Sequence, residues 1–249
     1  MIGKLLFRLA RTGPLGSAVR FGFAHLSGLL PVQRVCETGD IVAFHHPRPA
    51  WDRHVLFVPK EPIPSLGSVR PEQVPLVRRL VELALEVAAR ERFDRDGFAL
   101  LANGGAYQDV GQLHFHLASR AREAWYECPD RPAGPALLEA DALTAHRHPR
   151  PRRAVHIVML PPRGPLAPAA PGLGEAFIDA VIIATQRLIV RLDLEVGGYT
   201  LAIGAPPGRP APGPCFHLLA GADRDPRRTL GPDDTGEEGR REDRGRSPT

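Results

Sequence analysis

Apolar and polar residues alternate with a period of two through Gln112-Leu113-His114-Phe115-His116-Leu117. Read as a β-strand, this stretch sends Leu113, Phe115 and Leu117 to one face and Gln112, His114 and His116 to the other. The apolar face would anchor a core, and the polar face, with its two imidazoles, would line a cleft. Upstream, apolar runs predict buried strands at Ile41-Val42-Ala43-Phe44, after a Gly39-Asp40 turn, and at His54-Val55-Leu56-Phe57-Val58, ended by Pro59. His46-Pro47-Arg48-Pro49 between them reads as a rigid connection. From Pro71 to about Arg92 the spacing turns helical, with Val74, Val77, Leu80, Val81, Ala84, Val87 and Ala88 on one face and Pro71 in the first turn. Gly97 ends that unit, Phe98 to Ala102 reads as a strand, and the turn-rich Asn103-Gly104-Gly105 leads toward the histidine stretch.

The same order then returns. His148-Pro149-Arg150-Pro151 and His156-Ile157-Val158-Met159-Leu160-Pro161 follow their counterparts by 102 positions (148 against 46, 156 against 54). After a helical segment at about 174–192, Gly198-Tyr199-Thr200-Leu201 and Cys215-Phe216-His217-Leu218 follow theirs by 101 (198 against 97, 217 against 116). Elements repeated in one order at a near-constant spacing point to duplication of a single α+β unit. The copies differ in chemistry, because Asn103, Gln112 and His114 give way to Gly204, Gly213 and Cys215. Apolar anchors persist while most polar cleft positions are lost, which places the working site in the first copy. The expected organisation is an N-terminal amphipathic helical segment (1–36), a site-bearing unit (37–128), a linker (129–138), a degenerate unit (139–221) and a disordered tail (222–249).

Composition narrows the classes. A chain of 249 residues with 43% hydrophobic and 24% charged residues has the make-up of a soluble globular protein. Its net charge of +4 comes almost wholly from scattered arginines, and three tyrosines and two tryptophans offer little stacking surface, so a nucleic-acid partner is not expected. Cys36, Cys128 and Cys215 are odd in number and form no C-x-x-C pattern. That argues against a disulfide framework or zinc site and for a reducing cytoplasm, with Cys215 read as a small buried hydrophobe ahead of a reactive thiol. No apolar run approaches the ~20 residues a membrane span needs. Before Glu37 there is no acidic residue, while Lys4, Arg8, Arg11, Arg20 and Arg34 lie among leucines and phenylalanines. This reads as two short amphipathic helices, broken at Gly13-Pro14 and packed on the domain; the sharper reading is a weak contact with an anionic membrane surface. From about Gly221 the chain has too few apolar residues to offset its ordering entropy. Trp51 and Asp52 read as surface packing.

Asp40-Ile41-Val42-Ala43-Phe44-His45, Pro47, His54-Val55-Leu56-Phe57-Val58-Pro59-Lys60, Asn103-Gly104-Gly105 and Gln112-Leu113-His114-Phe115-His116-Leu117-Ala118-Ser119-Arg120 together resemble the histidine triad (HIT) superfamily. The resemblance covers roughly 35–120, and 139–220 more weakly. It implies an α+β fold with a five-stranded antiparallel sheet and packed helices in each unit, the two units forming an intrachain pseudo-dimer. Galactose-1-phosphate uridylyltransferases and dinucleoside polyphosphate phosphorylases are similar two-unit relatives.

The activity the resemblance implies is hydrolysis or transfer of nucleotidyl groups, with the middle histidine of H-x-H-x-H attacking an α-phosphate to form a nucleotidyl-histidine. His114 then takes the nucleophile's place, His116 the third position, and Gln112 stands where the first histidine would be. An alternative register makes His114 the first position and His116 the nucleophile. Asn103 matches an amide that contacts phosphate or leaving group, and His54 the histidine that opens the strand before Pro59-Lys60. His46 sits near the place where many relatives carry an acidic residue for the ribose hydroxyls. Backbone N–H groups at Gly104, Gly105 or Gly111 would stabilise phosphoryl oxygens, and Tyr107 and Gln108 lie close enough to meet a leaving group. Neutral imidazole is nucleophilic near physiological pH, so no metal or cofactor is required. The implied partner is a nucleotide or nucleotide conjugate, bound by a cytoplasmic monomer or homodimer. Two other functions fit the residues: a HIT-fold protein that binds a nucleotide or a protein without catalysis, and a metal protein in which His114 and His116, aided by His54 or His46, hold zinc or iron.

Overall fold

The structure, a computed structural model, describes residues 33–120, 128–129, 133–162, 173–208 and 215–223. The N-terminal segment up to residue 32 and the tail beyond 223, for which helices and disorder are expected, lie outside the described residues. The first half of the chain supplies β1 (Arg34–Glu37), β2 (Ile41–His45), β3 (His54–Pro59), β4 (Phe98–Gly104) and β5 (Phe115–Ser119). The second supplies β6 (Ala133–Ala140), β7 (Leu143–Arg147), β8 (Arg153–Leu160), β9 (Tyr199–Ala205) and β10 (Phe216–Asp223). All ten join one sheet in the order β1-β2-β3-β5-β4-β9-β10-β8-β7-β6, every pairing antiparallel. Read inward from either edge, the two halves follow one strand order. They meet at β4 and β9, where Leu101 lies opposite Ala202, the residue 101 positions after it.

Two long helices, α1 (Val74–Arg90) and α2 (Glu175–Arg191), cover one face, and a single turn, α3 (Leu194–Gly197), follows α2. In α1 the residues at helical spacing, from Val74 to Ala88, are buried as the sequence predicts. They join Ile41, Ala43, Val55, Phe57, Leu100, Phe115 and Leu117 from the strands and Phe177, Ile178, Val181 and Leu188 from α2 in one core. Each fully buried large apolar side chain contributes about 1.5–3 kcal/mol, so this shared core holds both halves on the sheet. Arg78 of α1 links the helices by pairing with Glu175 and with Asp179 (3.1 Å) of α2. No described helix is long and apolar enough to cross a membrane.

Six sequence expectations are corrected. The strand predicted from Gln112 begins only at Phe115, because the chain before it is tied elsewhere. Leu113 N–H donates to Ile63 O (2.6 Å), and the Gln112 amide donates to Pro59 O and Glu61 O (3.1 Å each), so both residues brace the chain after β3. Residues 34–36, assigned to the N-terminal helical segment, lie in β1; residues 133–138, assigned to the linker, lie in β6; and β10 runs past the boundary set at 221. Cys128 and Cys215 form a disulfide across 87 positions, which removes the cysteine argument for a reducing compartment and the reading of Cys215 as a free hydrophobe. Folding brings their Cα atoms to 5.8 Å, a proximity that no spacing rule could supply.

Candidate active site

Strand alternation aims the chemistry at the sheet face away from the helices. Val55, Phe57, Phe115 and Leu117 enter the helix-covered core, so the intervening His54 and His116 face the other way. His116 lies opposite Leu56 in β3 while His54 lies opposite Ala118, making the two imidazoles diagonal neighbours. Their Nε2 and Nδ1 atoms are 2.9 Å apart. Ala50 N–H donates to His54 Nδ1 (3.4 Å), so the His54 proton sits on Nε2 and is given to His116 Nδ1. His116 therefore carries its own proton on Nε2. His46 stacks flat on His54, with centroids 4.3 Å apart and planes within 4°, and its Nδ1 accepts from Arg48 N–H at 3.1 Å.

His114 precedes β5, is half-buried, and meets the His116 ring edge to face at 4.7 Å. Its Nδ1 lies 2.8 Å from Gln112 O. A carbonyl only accepts, so the His114 proton occupies Nδ1 and the lone pair is on Nε2. The adjoining rings thus present opposite functions, a lone pair on His114 and an N–H on His116. Their environment keeps them neutral. Burial, then the nearby His46 and His114, hold His54 down to about 3. Burial, then His114, His54 and His46, press His116 well below the ordinary histidine value. Burial also lowers His114, opposed by its bond to Gln112 O and by the charge of Asp109.

The remaining predicted residues have mixed fates. Gln112 supports His114 through its backbone oxygen, while its side chain turns to the Pro59 and Glu61 carbonyls. Gln108 stays in the loop, where its two Nε2 hydrogens are shared among Pro64 O (2.7 Å), Val110 O (2.6 Å) and the same Gln112 O (3.1 Å). It braces the carbonyl that orients His114. Asn103 Oδ1 accepts from Thr200 Oγ1 (2.7 Å) across β4 and β9. Gly104 and Gly105 serve packing between the halves. A Cβ on Gly104 would fall 2.0 Å from the Tyr199 ring, and one on Gly105, at φ +58, would fall 2.1 Å from Glu195 O. Gly111 has open space around it. Tyr107 is drawn off to Gly221 O (3.3 Å). Trp51, expected to be surface packing, packs beside Ala99, Leu101, Ala202 and Leu219 and stands edge-on to His54 at 4.8 Å.

Sequence reasoning missed a second cluster. His148 stacks on His156 (4.1 Å, 8°), Arg152 N–H donates to His156 Nδ1 (3.1 Å), and His156 Nε2 lies 3.0 Å from His217 Nδ1. Burial, then nearby His148, holds His156 at about 2 and His217 at about 3. The repeated His-Pro-Arg-Pro stretches and the constant offset contained the signal for all three. Among the described residues this is the cluster whose three donor atoms lie within 4.8 Å of one another. It does not fit a shared ion. An imidazole lone pair lies in the ring plane, and two parallel rings about 4 Å apart cannot both point theirs at one ion ~2.0–2.1 Å away. The His46–His54 stack has the same defect. In the first half both nitrogens of His54 are engaged, by Ala50 N–H and by His116 Nδ1, so the zinc or iron reading loses its converging third donor.

A family described as "Scavenger mRNA decapping enzyme C-term binding" matches residues 27–128. Protein HitA of Neisseria gonorrhoeae is 36% identical over 90 residues, 35% of this chain and 83% of that protein. The purine nucleoside phosphoramidase of Escherichia coli K12 is 27% identical over 110 residues, 43% of this chain and 84% of the enzyme. Among solved structures, an ADP-glucose phosphorylase from Arabidopsis thaliana superposes with a TM-score of 0.59 at 8% identity. It covers 80% of this chain and 79% of its own, a likeness of fold alone.

Proposed function

The chain belongs to the histidine triad family, and on that basis we propose that it is a nucleotide phosphohydrolase or nucleotidyltransferase acting at an α-phosphate through His114. The observation that carries this reading is the opposed protonation of His114 and His116. His114 Nε2 attacks phosphorus, forming a P–N bond as the bond to the leaving group breaks and its electron pair departs with that group. His116 Nε2–H donates to a phosphoryl oxygen or to the departing atom, stabilising charge that grows in the transition state. Water or another acceptor then cleaves the P–N bond and restores the lone pair of His114. Gln108 and Gln112 keep the imidazole in the attacking tautomer, and His54 keeps His116 as a donor. Asn103, whose Oδ1 is taken by Thr200 Oγ1, keeps its amide N–H groups for a contact with phosphate or leaving group.

The mirrored strand order, with Leu101 facing its counterpart Ala202, supports reading the chain as two copies of one unit joined as a pseudo-dimer. The phosphoramidase match makes nucleoside 5′-phosphoramidates the first substrates to assay. The reading expects release of nucleoside monophosphate by the wild-type protein and none by His114→Ala; equal rates for both would overturn it. A second reading, a binding protein without turnover, draws on Gln112, whose side chain faces away from the cleft where an imidazole would stand. Nucleotide-induced thermal stabilisation with no product from any phosphoramidate or dinucleotide would favour that alternative.

A further inference from the structure

The second half keeps three ordered imidazoles that the proposed reaction leaves unused, and they converge on a disulfide. Arg152 N–H occupies His156 Nδ1, so His156 gives its Nε2 proton to His217 Nδ1. His217 accordingly carries its proton on Nε2, which lies 3.4 Å from Cys215 Sγ. The imidazole chain thus delivers an N–H to one sulfur of the Cys128–Cys215 bond. The two sulfurs differ in access as well: Cys215 is 2% exposed, whereas Cys128 is only half-buried.

We propose that Cys128–Cys215 is a thiol–disulfide exchange site for an external dithiol, with Cys128 the sulfur attacked and Cys215 the sulfur released. An incoming thiolate forms a bond to Cys128 Sγ as the Cys128–Cys215 bond breaks, and the electron pair goes to Cys215. The resulting thiolate is held by His217 Nε2–H, which makes it a better leaving group. The second thiol of the dithiol then displaces Cys128 as its thiolate. The protein gains two electrons and, on protonation, two protons, while the dithiol becomes a disulfide. His148 packs on His156, and His156 fixes the tautomer of His217, so the three imidazoles acquire a common purpose. Exchange would open or close the covalent tie between β10 and the connection from β5 to β6.

The test uses the full chain in a Cys36→Ser background, so that the third cysteine adds no thiol. The oxidised protein is treated briefly with dithiothreitol or with the monothiol 2-mercaptoethanol, quenched in acid and peptide-mapped. The expected results are a mixed disulfide on Cys128 with Cys215 as a free thiol, and dithiothreitol reduction about tenfold slower in His217→Phe. His217→Gln, which keeps a side-chain N–H, should stay within about threefold of the parent. Should His217→Phe not fold, His156→Phe, which releases the tautomer of His217, should slow reduction about threefold. A mixed disulfide on Cys215, a reduction rate indifferent to His217, or thiols rather than a disulfide in protein unfolded under non-reducing conditions would overturn the proposal.

Discussion

The two halves of the sheet hold matching chains of imidazoles and differ in what those chains face. His46, His54 and His116 lead to a neutral His114, and His148, His156 and His217 lead to the sulfur of a disulfide. In each, a backbone N–H fixes the first tautomer, and the histidine after it presents an Nε2 proton. In both halves the imidazole chain is a device for holding an N–H in place. The two N–H groups differ in what stands beside them, a neutral imidazole at 114 in the first half and a bonded sulfur at 215 in the second.

The comparison can be broken most sharply at those end residues. His114→Ala should lower kcat on a nucleoside phosphoramidate by about 10³-fold or more, while Cys215→Ser leaves kcat/KM within about threefold. Comparable losses from both would mean that the halves share one site. The imidazole chains come next. His54→Phe removes the donor to His116 and should lower kcat about 10- to 100-fold with KM little changed. Steady-state kinetics of His156→Phe should match the parent, since its chain serves the disulfide.

The seam between the halves sharpens the comparison further. Gly104 faces Tyr199 across β4 and β9, whereas the equivalent pair across the seam is Phe98 and Ala205, so only one side must leave room for a phenol. Gly104→Ala should destabilise by about 1–3 kcal/mol in denaturant unfolding, and Gly111→Ala, with open space around it, should be near neutral.

Both halves also share a dependence on pH. Histidines with folded-state values below the ordinary 6.5 bind more protons when unfolded, so stability falls as pH drops from about 6.5 toward the lowered values and is flat above. Each such group contributes about 1.4 kcal/mol per pH unit within that window. Removing one imidazole in either half, as in His54→Gln or His217→Gln, should flatten the slope by about that amount, measured by urea unfolding between pH 6 and pH 4.

Much of the fold was legible because apolar spacing reports burial. Ile41 to Phe44, His54 to Val58, Phe98 to Ala102 and the helix after Pro71 all fall where their patterns predict. Strands β1, β6 and β7 were not. Arg34-Val35-Cys36-Glu37 is a short edge element with exposed ends, and β6 contains Gly134 and Pro135, so neither carries a buried run. At the site, alternation paired Gln112 with His114, but hydrogen bonds to the chain after β3 outweighed the ladder, and the Gln112 side chain turned away. His54 meets His116 through strand pairing between residues 62 positions apart, a contact that no local spacing reports. The disulfide had no signal in cysteine spacing at all.

The central claim is that His114 Nε2 bonds to phosphorus. The most direct measurement is rapid quenching of the full chain with a nucleoside phosphoramidate under alkaline conditions, followed by intact-mass and fragment mass spectrometry. The account predicts an acid-labile nucleoside monophosphoryl group on His114, formed at a rate sufficient for turnover and absent from His114→Ala. The same adduct on His116, or turnover with no phosphorus on any histidine, would contradict it.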